Sequence, residues 1–304
     1  MRPPLSKAWL RLLAATAVRQ RSRHRLYRFR FRPAPAGALR VHITPRFGSD
    51  RAGATVTLRP STSDRRVFEQ IFLDDEYDLR SLARWPELDA AARAEPSALI
   101  LDLGANIGLA ALALHFQLPT ARILAVEPDP ANFAQLQRNT AALPAISPLH
   151  AAVAAHDGWA HIANPGAATA GLRTEPAAPG AAGAIPARSI ASLCAGAAPL
   201  LVKMDIEGAE RDLFSADGGS SEEPGAPAGG PCRESKPALP ATNGSDQGKK
   251  WRATAAWLAS TRLLIVEPHD WAFPGQALSQ PLLAALAARA GDVVVRGEHL
   301  FCWR

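Results

Sequence analysis

The run Leu99-Ile-Leu-Asp-Leu-Gly-Ala-Asn-Ile-Gly108 carries an apolar strand into an acid and then into a glycine-bearing turn. Leu99 to Leu103 reads as a buried strand, and Ile107 to Phe116 as a helix that follows with no linker. Gly104 and Gly108 let the backbone turn tightly and approach a ligand with no Cβ in the way. The helix start then presents unsatisfied backbone N–H groups. Such a turn holds ligands, but on its own it also serves NAD, FAD and plain packing.

The same grammar continues outward from this run. Arg122 to Val126 is a strand and Pro130 to Ala142 a helix, with Asp129 as N-cap and Pro130 at the first helical position. Phe133, Leu136, Thr140 and Leu143 mark its inner face. Leu149 to Val153, Leu200 to Met204 and Leu263 to Val266 are further strands, Pro281 to Arg289 a helix, and Val293 to Val295 with Leu300 to Trp303 a terminal antiparallel hairpin. Strands alternating with helices predict an α/β fold with a parallel sheet. Upstream, Asp64 is the expected N-cap of a helix through Phe72, and Leu79, Leu82 and Trp85 belong to a second helical stretch before Pro96. Tyr27-Arg-Phe-Arg-Phe-Arg32 alternates aromatic and basic, which as a strand gives one wet face. With Val41 to Thr44 and Thr55 to Leu58 it predicts a small antiparallel flap. Leu5, Trp9, Leu12 and Leu13 fall on one side of a helix.

The chain has 304 residues, 47% hydrophobic and 20% charged, enough to bury a full core. Its net charge of +6 is uneven, since residues 1 to 66 hold 16 of the 34 Lys and Arg and only 2 of the 28 acids. A basic arm of this kind favours anionic partners. Residues 217 to 250 are low complexity, with Gly, Pro and Ser at 16 of 34 positions, and predict a disordered insertion. The expected organisation is therefore a basic extension over 1 to 66 and a main domain over 67 to 304 interrupted by that insertion. Three cysteines, Cys194, Cys232 and Cys302, form no CxxC pair and point to the cytoplasm. No apolar run is long enough to span a bilayer, because Arg11 and Arg19 interrupt the N-terminal candidate.

Two features separate the loop from a dinucleotide fingerprint. The spacing Gly104, Asn106, Gly108 is not GxGxxG, and Asp102 would repel a pyrophosphate but welcome an ammonium or sulfonium. Glu127, at the end of the next strand, is placed to take both hydroxyls of a ribose. A nicotinamide enzyme would need the third glycine and no acid at Asp102. Asp205 and Glu207, just past the strand ending at Met204, sit where ligands gather in an open α/β sheet, and can steady a sulfonium, orient a hydroxyl or hold a divalent ion. No metal ligands are assigned. Glu210 fits a helix-dipole pairing, and Lys203 a pairing with a nearby carboxylate. After the following strand come Glu267, Pro268, His269 and Asp270. His269 is the expected general base, since an imidazole titrates near neutral pH, and Trp271 and Phe273 are candidate walls of an acceptor pocket.

A nucleoside with a positive tail is S-adenosylmethionine, and the sequence resembles the FkbM family of methyltransferases. The resemblance rests on Leu101-Asp-Leu-Gly-Ala-Asn-Ile-Gly108, Glu127-Pro-Asp-Pro-Ala-Asn-Phe133 with Asn139, Lys203-Met-Asp-Ile-Glu-Gly-Ala-Glu210 and Glu267-Pro-His269, in order over residues 66 to 304. It implies a Rossmann-like, seven-stranded class I methyltransferase sheet with an antiparallel last strand. It also implies that Asp102, Gly104, Asn106 and Gly108 line the methionine part of S-adenosylmethionine, with Glu127 at the ribose and Ala152 near the adenine. Asp205, Glu207 and His269 are then the catalytic candidates. The implied reaction is O-methylation of a hydroxyl on a glycan or a small-molecule secondary metabolite. An RNA acceptor held by the basic arm, and a non-catalytic nucleic-acid or membrane binder on the same fold, are the competing expectations.

Overall fold

The computed structural model describes residues 26–48, 52–163, 174–206, 210–214, 256–289 and 291–304. The helix expected over residues 5 to 13, the insertion at 217 to 250 and Glu207 lie outside them. The chain opens with β1 (Tyr27–Pro33), β2 (Leu39–Pro45) and β3 (Ala54–Leu58), which pair antiparallel as a three-stranded sheet in the order β1-β2-β3. Tyr27 and Phe29 are buried while Arg28 and Arg30 are exposed, as the aromatic and basic alternation requires.

Helix α1 (Asp64–Phe68) runs into a π-helical turn over Glu69–Leu73. Asp64 does not cap it. Its carboxylate is fully buried and accepts from the Arg59 backbone N–H at 2.7 Å and the Arg59 Nη2 at 2.8 Å, so this acid anchors the end of β3. A 3-10 turn at Leu79–Ser81 and helix α2 (Trp85–Ala94) lead to β4 (Leu99–Leu103), in which every residue is buried. Both faces of such a strand are covered. Helix α3 (Leu109–Gln117), β5 (Arg122–Glu127), α4 (Pro130–Thr140) and β6 (Ile146–His150) follow.

The third strand begins earlier than the apolar pattern suggests and stops before Ala152. Pro148 lacks an N–H, but β6 is the edge of the sheet, where a missing donor costs nothing. β7 (Ala152–Val153), β8 (Gly158–Ile162), β9 (Thr174–Pro176) and β10 (Ile185–Arg188) form a separate four-stranded sheet that short, weakly apolar segments did not announce. Helix α5 (Ile190–Cys194), β11 (Pro199–Met204), α6 (Glu210–Phe214), β12 (Leu263–Val266), α7 (Gln280–Arg289), β13 (Val293–Arg296) and β14 (His299–Trp303) complete the described chain, together with helical residues 256–260.

The main sheet has seven strands in the order β13-β14-β12-β11-β4-β5-β6. β14 is antiparallel to both its neighbours, and the other pairs are parallel. Seven strands with an antiparallel last strand are what the resemblance implied. From β4 the strands proceed one way through β5 and β6, and β11 and β12 lie on the other side. The order therefore reverses between β4 and β11, and a ligand crevice belongs beyond the carboxyl ends of these two strands.

The N-terminal sheet shares the main core, since Tyr27, Leu39, Val41 and Val56 belong to one buried cluster with Ile100, Ile107 and Leu112. Polar stitching adds to this. Asn139 on α4 accepts from Thr57 N–H at 2.9 Å and donates to Ile107 O at 2.9 Å, and Gln135 donates to Thr57 O at 3.1 Å. The buried face of α4 thus includes Gln135 and Asn139 beside Leu136 and Thr140, rather than being wholly apolar. Asp129 caps α4 as expected, accepting from Asn132 N–H at 2.7 Å.

Candidate active site

Beyond the switch point lies a cleft with ≈ 440 Å³ of empty space, part of it open to solvent. Gly104 and Asn106 line it from the β4 loop, Lys203 and Asp205 from β11, Glu267 from the end of β12 and His299 from β14, with Glu76 and Tyr77 closing the far side. Asp102, Gly108, Glu127, Ala152 and His269 do not line it.

Each absence has a physical reason. Asp102 is fully buried and faces Lys203 on the neighbouring strand, with Lys203 Nζ 3.2 Å from Asp102 Oδ1. The cation that this acid meets is supplied by the protein. Gly108 (φ +86°) starts α3, where an added Cβ would lie 2.6 Å from Leu136 Cδ1, so the missing side chain makes room for α4. Gly104 (φ +79°) leaves even less space, since its Cβ would stand 1.8 Å from the Asp205 carbonyl oxygen. Both glycines first serve close packing of the chain on itself. Ala152 is buried in a small cluster with Ala160, Ile185 and Ala187, on the second sheet just past the end of β6.

Glu127 holds the loop. Its carboxylate accepts from Asn106 N–H at 2.8 Å and from Asp129 N–H at 2.9 Å. Burial pushes its pKa up to about 7, although these two amides work in the opposite direction. Asn106 takes a left-handed conformation (φ +50°), and its buried Oδ1 has no hydrogen-bond partner among the described residues. A polar atom left unpaired in a loop at the switch point is what a ligand donor would satisfy.

Lys203 is the centre of charge. Its ammonium donates to Gly104 O at 2.9 Å and lies 3.5 Å from Asp205 Oδ2 as well as beside Asp102. Burial works against its charge, but Asp102, Asp205 and Glu267 more than reverse this and hold its pKa above the usual lysine value. The carboxylates share that single ammonium unequally. Burial opposes ionisation of Asp205 too, yet Lys203 and His269 outweigh it and keep its carboxyl well below the usual range. Burial and the charge on Asp205 raise Glu267 to about 7, and burial raises Asp102. The cleft therefore carries Asp205, Glu76 and Glu267 against Lys203, an acid excess that favours a cationic guest.

His269 is 2% exposed and points its Nε2 between two carboxylates, 3.6 Å from Asp205 Oδ1 and 3.7 Å from Glu267 Oε1. Its ring centroid lies 6.4 Å from that of Trp271, which is 63% exposed. Asp205 and His269 are thus brought together as expected. Glu76, Tyr77 and His299 were not anticipated. Tyr77 OH lies 2.8 Å from His299 Nε2, and His299 Nδ1 lies 3.1 Å from Glu76 Oε1. A histidine on an apolar strand and an acid in a turn carry no local signal, and only the meeting of distant segments makes them a group.

Residues 102–225 match the family described as Methyltransferase FkbM domain. Methyltransferase sdnD of Sordaria araneosa is 37% identical over 81 residues, a match that spans 27% of this chain and 27% of that protein. Among solved structures, the precorrin-6y C5,15-methyltransferase of Geobacter metallireducens GS-15 is 10% identical with a TM-score of 0.33, over 71% of this chain and 84% of that one. CalS10, an amino pentose methyltransferase from Micromonospora echinaspora solved with SAM bound, is 15% identical with a TM-score of 0.31, over 75% of this chain and 94% of that one.

Proposed function

From residues 102–225, which match the Methyltransferase FkbM domain, we propose an S-adenosylmethionine-dependent O-methyltransferase acting on a hydroxyl of a glycan or small secondary metabolite. The observation that carries this is the acid-rich cleft at the switch point, with the unpaired Asn106 Oδ1 at its loop side and Asp205, Glu267 and His269 grouped at the ends of β11 and β12. These residues fit the cofactor's charge and polarity.

S-adenosylmethionine supplies a methyl group on a positively charged sulfur. Gly104 and Asn106 would border its methionine part, and the Asp205 carboxylate, held ionised by Lys203, would face the positive charge. Glu127, which holds the loop from the end of β5 through the Asn106 and Asp129 amides, would take the ribose hydroxyls with its remaining lone pairs. Asp205 and Glu267 would orient the acceptor hydroxyl, and His269 would receive its proton. Alignment does most of the work, since effective molarities of about 10⁵ M or more outweigh the roughly 10² to 10⁴ obtained from proton removal.

The test is incubation of the protein with isotopically labelled cofactor and a panel of glycans and metabolites, followed by mass spectrometry. A labelled methyl on oxygen supports the proposal. Cofactor binding with no transfer to any hydroxyl acceptor counts against it. In calorimetry, Glu127→Ala weakens cofactor binding, whereas His269→Ala lowers turnover and leaves cofactor affinity nearly intact.

An RNA acceptor is the second reading, favoured by the exposed Arg28, Arg30, Arg32 and Arg40 on one face of the N-terminal sheet. RNA binding that falls steeply with salt would support it. Indifference to RNA returns the acceptor to small molecules and glycans.

A further inference from the structure

We propose that Asp205, Glu267 and His269 form a binding site for a divalent transition-metal ion at the acceptor side of the cleft. Each offers one ligand atom, and the three atoms lie within 4.8 Å of one another. They come from the carboxyl ends of adjacent parallel strands, β11 and β12, so sheet register sets their spacing.

The distances are compatible with shared coordination of one ion. His269 Nε2 is 3.6 Å from Asp205 Oδ1 and 3.7 Å from Glu267 Oε1. Two donors each about 2.1 Å from one ion are separated by roughly 3.0–3.4 Å at octahedral to tetrahedral angles. Both distances from His269 lie within a few tenths of an ångström of the upper end of that span.

The outer oxygens of both carboxylates are already engaged. Asp205 Oδ2 faces Lys203 Nζ at 3.5 Å, and Glu267 Oε2 faces His299 Nε2 at 3.7 Å, with Glu76 behind His299 at 3.1 Å. Each carboxylate therefore turns one oxygen toward a protein partner and the other toward His269. Such outer partners orient metal ligands and hold their shape before the ion arrives. His269 and Glu267 are shielded while the Asp205 side chain is 31% exposed, which leaves the cleft side open to a further ligand.

One imidazole with two carboxylates selects Mn²⁺, Fe²⁺, Co²⁺ or Zn²⁺ over Mg²⁺ or Ca²⁺, which prefer oxygen alone. If the proposed transfer reaction holds, the ion lowers the pKa of the acceptor hydroxyl, and His269 becomes a ligand instead of the base. That consequence rests on the proposed function, but ion binding does not.

The test is titration of the whole protein with Mn²⁺, following free ion by electron paramagnetic resonance. Saturable uptake of a single ion is expected, with nitrogen coupling that disappears in His269→Ala. Asp205→Asn, His269→Ala and the isosteric Glu267→Gln should each weaken uptake at least tenfold, with near-ultraviolet circular dichroism reporting that each variant is folded. His161→Gln, in an exposed pair with Glu175 on the small sheet, should bind as wild type. No saturable uptake of Mn²⁺ or Zn²⁺, or uptake unchanged in all three variants, overturns the site. Ion binding without S-adenosylmethionine binding sinks the proposed function and leaves the site standing, and the reverse sinks only the site.

Discussion

Lys203 Nζ lies 3.2 Å from Asp102 Oδ1 across the junction of β11 and β4, with both side chains almost wholly out of water, at 2% and 0% exposed. Strand register brings them together, because Lys203 pairs with Asp102 in the parallel ladder. This ammonium also fastens the glycine loop through Gly104 O and keeps Asp205 ionised.

Removing one partner leaves a buried charge uncompensated, which typically costs about 3–5 kcal/mol. Lys203→Met is expected to destabilise the protein by that amount in urea unfolding. Adding Asp102→Asn should restore much of the loss. A double variant no more stable than the single one would show that the pair is not what the lysine stabilises.

The two loop glycines should differ in tolerance. Gly108→Ala adds left-handed strain of about 1–3 kcal/mol and a contact with the flexible tip of Leu136, which can move. Gly104→Ala drives its methyl into the Asp205 backbone, which cannot yield without displacing the end of β11. We expect Gly104→Ala to lower the melting temperature more and to weaken cofactor binding more. Equal effects would mean that the close approach to Asp205 is not limiting.

Glu127 predicts a pH dependence of opposite sign to that of most native carboxylates. Its folded pKa of about 7 lies above its ordinary value of 4.5, so the folded state holds the proton more tightly than the unfolded one. Its contribution to stability is full below pH 4.5 and is lost as pH rises to about 7. A shift of this size corresponds to about 3 kcal/mol. Urea unfolding across this range should show the decline, and Glu127→Gln should flatten it. Cofactor affinity in calorimetry should rise over the same interval, since the ionised carboxylate is the better acceptor for ribose hydroxyls.

Tyr77→Phe removes the hydroxyl 2.8 Å from His299 Nε2 and leaves a buried imidazole short of a partner, at a cost of about 1–3 kcal/mol. Through His299 and Glu267 the change reaches the acceptor side of the cleft. Turnover should fall while cofactor affinity stays near wild type. A drop in cofactor affinity alone would remove Tyr77 from the acceptor side.

Short-range physics made much of the architecture legible from residue order alone. The alternation of strands with helices, the cap of α4 at Asp129, the left-handed glycines after β4 and the wet arginine face of β1 each depend on a few neighbouring residues. The pattern around Glu267 and His269 likewise announced a strand end bearing polar groups. The tertiary structure decided which of these polar groups meet. Asp102 meets Lys203 instead of a ligand because β4 and β11 are neighbours. Asn139 ties the N-terminal sheet to the glycine loop because α4 packs over β3. Ala152 leaves the main sheet because Ile146 to His150 form its edge. Tyr77 and His299, 222 residues apart, touch because β14 folds back beside β12. Contacts across such separations follow from strand order and burial, which local periodicity does not encode.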